Sequence, residues 1–176
     1  MTDRKPFSHL DEAGTARMVD VSDKPVTRRV AAASCRVRLS VETVARLNDL
    51  PKGDAIAVAR LAGIQGAKAT STLVPLAHPL PLDQVEVEIA PDEQGVVIRS
   101  RVVATARTGA EMEALAACAA AALALYDMVK AVERGAVITD LRLESKSGGR
   151  SGAWERGDDA ATEMAAEPAL PAGRNP

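Results

Sequence analysis

The stretch VEVEIAPDEQGVVIRSRVVATA, residues 85–106, decides the fold. Val85, Val87 and Ile89 alternate with Glu86 and Glu88, and a second alternating run fills 95–106. The turn-forming segment APDEQG (90–95) separates them, so the two runs predict an antiparallel hairpin. Upstream, 27–40 alternates in the same way. Ala31, Ala33, Cys35, Val37 and Leu39 share one face, with Arg36 and Arg38 on the other, the pattern of a half-buried strand with Cys35 in the core. Downstream, an apolar run from about 109 to 134 predicts a long helix, and AVITDLRL (136–143) a final strand.

Between the first strand and the hairpin, a short helix is expected over 41–49, stopped by Pro51 and Gly53. Asp54 can cap a second helix running to about Ser71. Gly63 and Gly66 lie inside that helix, each costing about 1 kcal/mol relative to alanine. They predict close approach by another backbone or by a ligand. Three prolines in LVPLAHPLPL (73–82) then fix an extended path. The order strand, helix, strand, strand, helix, strand predicts an α+β fold: the ferredoxin-like split βαβ sandwich, with two long helices on one face of a four-stranded antiparallel sheet. Residues 1–25 read as an N-terminal arm, 26–152 as the folded domain, and 153–176, rich in Ala, Glu and Pro, as a tail expected to be disordered.

Composition narrows the function classes. Only 2% of residues are aromatic, too few for base-stacking platforms. Five acids and two arginines follow Gly152, leaving 20 basic and 19 acidic side chains before it. A nonspecific polyanion binder would be more basic, so no nucleic-acid partner is expected. Two cysteines make no disulfide framework. Neither a secretory leader nor an apolar run of membrane-spanning length is evident, so no membrane association and a cytoplasmic setting are expected.

Several residues could carry chemistry. Asp127 and Lys130 stand three apart, on one side of the predicted helix. They fit an ordinary exposed ion pair, or an acid–base pair sharing one site. His78, held on a stiff strut before Pro79, fits a structural imidazole or a ligand contact. Lys146 and Arg150 sit among glycines and serines in KSGGRSG (146–152), which suits phosphate oxygens but is not the P-loop pattern. Glu111 and Glu113 in a first helical turn are explicable by the helix dipole alone. No second histidine or cysteine stands at metal-ligand spacing, so no metal site is expected.

Six ordered blocks carry a more specific signal: MVDVSDK (18–24), TRRVAAA (27–33), 52–82, TGAEMEAL (108–115), YDMVKAV (126–132) and KSGGRSG. Together they resemble the molybdenum cofactor biosynthesis protein C family, the cyclic pyranopterin monophosphate synthases, over about residues 9–153. The resemblance implies a homohexamer, a trimer of dimers with active sites at subunit interfaces. It implies a cyclised dihydro-GTP substrate supplied by a radical GTP-cyclising enzyme, with cyclic pyranopterin monophosphate and pyrophosphate as products. By position, Asp127, Lys130 and Lys52 match the catalytic residues. Leu76, Ala77, His78, Met112 and Glu113 match substrate contacts, and Lys68, Lys146, Arg150 and Arg29 fit the anion-facing cations. No cofactor is required, although Mg2+ could accompany the departing pyrophosphate. The family usually carries cysteine where Ala77 stands, and Gly-Lys where this chain has Ala106 and Arg107. Because Glu113 and Asp127 are 14 residues apart on one helix, about 21 Å of rise, one copy can hardly bring both to one compact site. A non-catalytic nucleotide-sensing domain is the alternative.

Overall fold

The computed structural model describes residues 14–157. Twelve-residue strand β1 (Thr27–Arg38) lies in the middle of an antiparallel sheet, with β3 (Gly95–Ala106) on one side and β4 (Val137–Ser147) on the other. Strand β2 (Leu82–Asp92) pairs outside β3 as the expected hairpin. The sheet has five strands rather than four. Trp154–Glu155 forms a short β5 against Ser145 and Lys146, giving the order β2-β3-β1-β4-β5.

The tail was expected to be disordered from residue 153; its opening residues instead extend the sheet. A backbone bond from Arg156 N–H to the Glu144 carbonyl, and a side-chain bond from Arg156 Nε to the Leu143 carbonyl, hold it there. The remainder of that segment, and residues 1–13 of the arm, lie outside the described residues.

Four helices accompany the sheet: α1 (Val41–Val44), α2 (Ala55–Lys68), α3 (Thr70–Leu73) and α4 (Glu111–Val129). The first is shorter than the expected 41–49, because past Val44 the chain turns through tighter bonds, Arg46 N–H to Thr43 O and Leu47 N–H to Val44 O. Asp54 caps α2 as its position foretells, its carboxylate accepting from Ala57 N–H at 2.9 Å.

The core lies between α2, α4 and one sheet face. Ala31, Ala33, Cys35 and Val37 of β1, with Val96, Ile98 and Val102 of β3, are buried against Ala114, Ala117, Ala121 and Leu125 of α4. The two thiols belong to this core: Cys35 Sγ is 3.6 Å from the Cys118 carbonyl, and Cys118 Sγ is 3.3 Å from Ser100 Oγ.

The glycines of α2 make the helix crossing possible. A Cβ at Gly66 would stand 2.4 Å from Ala120 Cβ and 2.7 Å from the Ala116 carbonyl. One at Gly63 would meet the Ala117 carbonyl at 3.0 Å. The two glycines therefore serve contact between helices. Helix α4 has the length and apolarity to cross a membrane, but half of that apolar window is buried inside the fold.

The opposite sheet face is polar. Arg36 pairs with Asp92 at 2.7 Å, and Glu144 accepts from Arg142 at 2.8 Å and from Ser34. Asp140, at φ 55, occupies a bulge where β4 slips register against β1.

Candidate functional site

Helix α4 divides the expected site residues into two groups. At its C-terminal end, Asp127 bridges two ammonium groups. Its Oδ2 lies 2.7 Å from Lys52 Nζ and its Oδ1 2.6 Å from Lys130 Nζ. Lys52 also donates to the Asp127 backbone carbonyl at 2.9 Å. Lys130 is the C-cap of the helix, where the dipole favours a cation. Lys52 arrives on the turn just before the α2 cap, 75 residues away in sequence.

Hydrogen bonds from Lys130 and then Lys52 hold the Asp127 carboxyl down at about 2, and Asp127 in turn raises Lys130. All three side chains are about half exposed. The group is a fixed cation–carboxylate–cation array, open to solvent in the single chain.

At the other end, two adjoining clefts flank the start of α4. The smaller, about 360 Å³, is lined by Leu76, Ala77, His78, Met112, Glu113 and Arg150, together with Val19, Val21 and Lys24 from the arm. Glu113 is 3% exposed, and burial pushes its carboxyl up to about 7, with Glu111 adding to the rise. His78 Nε2 lies 2.9 Å from the Val19 carbonyl.

The larger cleft, about 620 Å³, adds Arg29, Arg107, Glu111, Lys146 and the glycine loop 148–149. Lys24, Thr108, Gly109 and Arg150 border both. Lys146 donates to Ser151 Oγ at 2.9 Å and pairs with Glu111 at 3.4 Å. Gly148, Gly149 and Gly152 all take positive φ, which lets the loop wrap tightly here. Thr27 Oγ1, also on this cleft, is the one buried side-chain polar atom without a hydrogen-bond partner among the described residues.

Of the expected residues, Lys52, Asp127 and Lys130 therefore come together in one place. Leu76, Ala77, His78, Met112, Glu113, Lys146, Arg150 and Arg29 come together in the other. Lys68 sits exposed in the last turn of α2 and lines neither cleft. Arg29 lines the larger cleft but commits its donors to backbone: Nε to the Ala106 carbonyl at 3.5 Å, NH1 to Gly148 at 3.3 Å, and NH2 to Arg107 at 3.1 Å.

Sequence reasoning passed over Lys24, Thr108 and Arg107 as site residues. The signal was present, since Lys24 closes the MVDVSDK block and Arg107 keeps a charge where the family has lysine. Their convergence depends on the arm folding back against the turn after β3, which no local pattern reveals.

Among the described residues, no three His, Cys, Asp or Glu side chains are grouped to hold a metal ion. What the clefts offer is a dense cationic rim, a buried carboxyl raised to about 7, and a glycine loop in positive-φ conformations. That combination suits a small polyanion bearing a heterocycle.

A family model described as the MoaC family matches residues 18–149. A cyclic pyranopterin monophosphate synthase of Thermomicrobium roseum is 54% identical over 159 residues, covering 88% of this chain and 96% of that protein. The protein of the same name from Streptomyces avermitilis is 55% identical over 152 residues, covering 85% and 89%. The one from Cereibacter sphaeroides is 53% identical over 153 residues, covering 85% and 96%.

Proposed function

The chain belongs to the MoaC family, and from that premise we propose how its two residue groups divide the work of a cyclic pyranopterin monophosphate synthase. It acts in molybdenum cofactor biosynthesis on a small-molecule substrate, a cyclised dihydro-GTP made by a radical enzyme just upstream. The reaction rebuilds a purine-derived ring and lets a ribose hydroxyl attack the α-phosphate, expelling pyrophosphate.

The observation that carries this reading is the pairing of the Lys52–Asp127–Lys130 array with the cationic clefts. Asp127 orients both ammonium groups and favours the charged form of Lys130, so the array holds an acid–base pair in place for the proton movements as the ring is rebuilt. Lys146, Arg150 and Lys24 face the triphosphate and stabilise charge on the departing pyrophosphate. Glu113, poised near neutrality, accepts or returns a proton inside the smaller cleft beside His78. Any Mg2+ would travel on the substrate phosphates rather than on a protein site.

The two groups lie at opposite ends of one rigid helix, so a complete site requires the array of one chain to meet the clefts of another. That supports the interface active site and the homohexamer, as do Leu61 of α2 and Leu123 of α4, 68% and 64% exposed in the single chain. The strand order, with β1 central between β3 and β4, supports the ferredoxin-like arrangement, with β5 as an addition. A cytoplasmic setting follows from the substrate, which is made from GTP.

The test incubates the purified protein with the cyclised GTP intermediate and measures pyrophosphate and the cyclic monophosphate. Wild type releases both, whereas Asp127→Asn and Lys130→Ala abolish turnover while retaining assembly. Binding without pyrophosphate release would make the protein a sensor. Near wild-type turnover in either variant would remove that residue from proton transfer.

A further inference from the structure

Residues 19–25 have no regular secondary structure, yet they wall both clefts through Val19, Val21, Asp23, Lys24 and Pro25. Only Val19 and Val21 are half-buried, and the rest of the segment is exposed. Two short-range turns give it local shape: Ser22 N–H donates to the Asp20 carboxylate, and Lys24 N–H to the Val21 carbonyl. Its attachment to the body is sparse. His78 meets the Val19 carbonyl, and Arg107 Nε donates to the Lys24 carbonyl at 3.1 Å. A segment with few apolar contacts and few anchoring bonds belongs to the low-stability end of a fold and opens locally.

The Arg107 anchor is itself braced. Arg29 donates to the carbonyls of Ala106 and Arg107, and also to Gly148. A Cβ at Gly149 would fall 1.5 Å from Arg29 NH1, so the glycine loop leaves the space that this guanidinium fills. Two guanidinium groups in series therefore connect the glycine loop, the turn after β3 and the arm.

We propose that Arg107 is a positioning residue: it latches the arm as a strap across the joined clefts and fixes where the Lys24 ammonium stands toward a bound polyanion. The inference depends on the reading of the clefts as the anion site. The planar fork of arginine allows Nε to hold a carbonyl while the rest of the guanidinium faces the cleft; a lysine ammonium is a single point donor. The replacement of the family's usual lysine by Arg107 thus adds a holding function to a cation already expected there.

The experiment reads amide hydrogen exchange by mass spectrometry, with and without inorganic pyrophosphate, alongside steady-state kinetics. Losing one charge-assisted bond should raise the opening equilibrium about tenfold. In Arg107→Ala, exchange of the Ser22 and Lys24 amides, the two held by bonds within the arm, is expected to rise about tenfold while 137–147 stays at wild-type rates. KM is expected to rise, with kcat little changed. Pyrophosphate is expected to slow exchange in 19–25 of the wild type far more than of the variant. Lys24→Ala should keep wild-type exchange in the arm and still raise KM, which separates the position of the strap from the charge it presents.

Unchanged exchange of the Ser22 and Lys24 amides in Arg107→Ala overturns the latch. Faster exchange with unchanged KM overturns the positioning role. Absence of pyrophosphate release from the wild type would instead strike at the assigned reaction, and the exchange comparison does not depend on it.

Discussion

Replacing Glu113 by glutamine should make the protein more stable and less active, and the stability gain should depend on pH in one direction. Glu113 is 3% exposed, and burial raises its carboxyl from the ordinary 4.5 to about 7. At about 1.4 kcal/mol per tenfold change, holding that carboxylate ionised in the folded chain costs roughly 3 kcal/mol. The folded value lies above the unfolded one. The stability that the protonated form contributes is therefore fully present below about pH 4.5 and lost as the pH rises through 7. Glutamine has no proton to lose and keeps the contribution throughout. Urea unfolding at one fixed protomer concentration, near pH 5 and again near pH 8, measures the difference between variant and wild type. That difference should grow by about 2–3 kcal/mol from the lower pH to the higher. A difference that stays constant across the two conditions would refute the reasoning, because Glu113 would then be no more costly to ionise when folded than when unfolded.

Two further outcomes follow from the helices. Gly66→Ala places a methyl 2.4 Å from Ala120 Cβ and should destabilise by about 1–3 kcal/mol, despite the better helix propensity of alanine. Gly63→Ala, with its tightest neighbour at 3.0 Å, should cost less, and thermal melts of the pair rank them. Mixing inactive Asp127→Ala subunits with inactive His78→Ala subunits should restore part of the activity, because each parent keeps one intact group. Mixtures of Asp127→Ala with Lys52→Ala should restore none, since those side chains meet within one chain. Equal recovery in both mixtures, or none in either, would count against an interface site.

Legibility in the sequence followed the length of the signal. Strand β3 was readable residue for residue, because twelve residues of alternation leave little room for error, and β1 was nearly so. The Asp54 cap and the close approach at Gly63 and Gly66 were also readable, each from a specific backbone requirement. Strand β5 was not, since Trp154 and Glu155 are too few to show a period and pair only because β4 offers an open edge. The short α1 escaped for a related reason: the tight turns after Val44 reflect packing of Leu47 into the core, and nothing in local propensity separates them from helix. In the candidate site, the separation of Glu113 from Asp127 followed from helical rise alone. The joining of Lys52 to Asp127, and the crossing of the arm above the clefts, are tertiary events without a local signature.

The alanines along α4 set which damage the protein can tolerate. Ala114, Ala117, Ala121 and Ala122 are fully buried, so much of the interior is already trimmed to its smallest practical side chain. A core of leucines fails mostly by losing methyl groups and leaving voids. Here the commoner accident is growth, since nearly every replacement of a buried alanine adds atoms where helix and sheet already touch. A saturation library across α4 would therefore show a lopsided profile, with glycine and serine better tolerated than valine or leucine at those four positions.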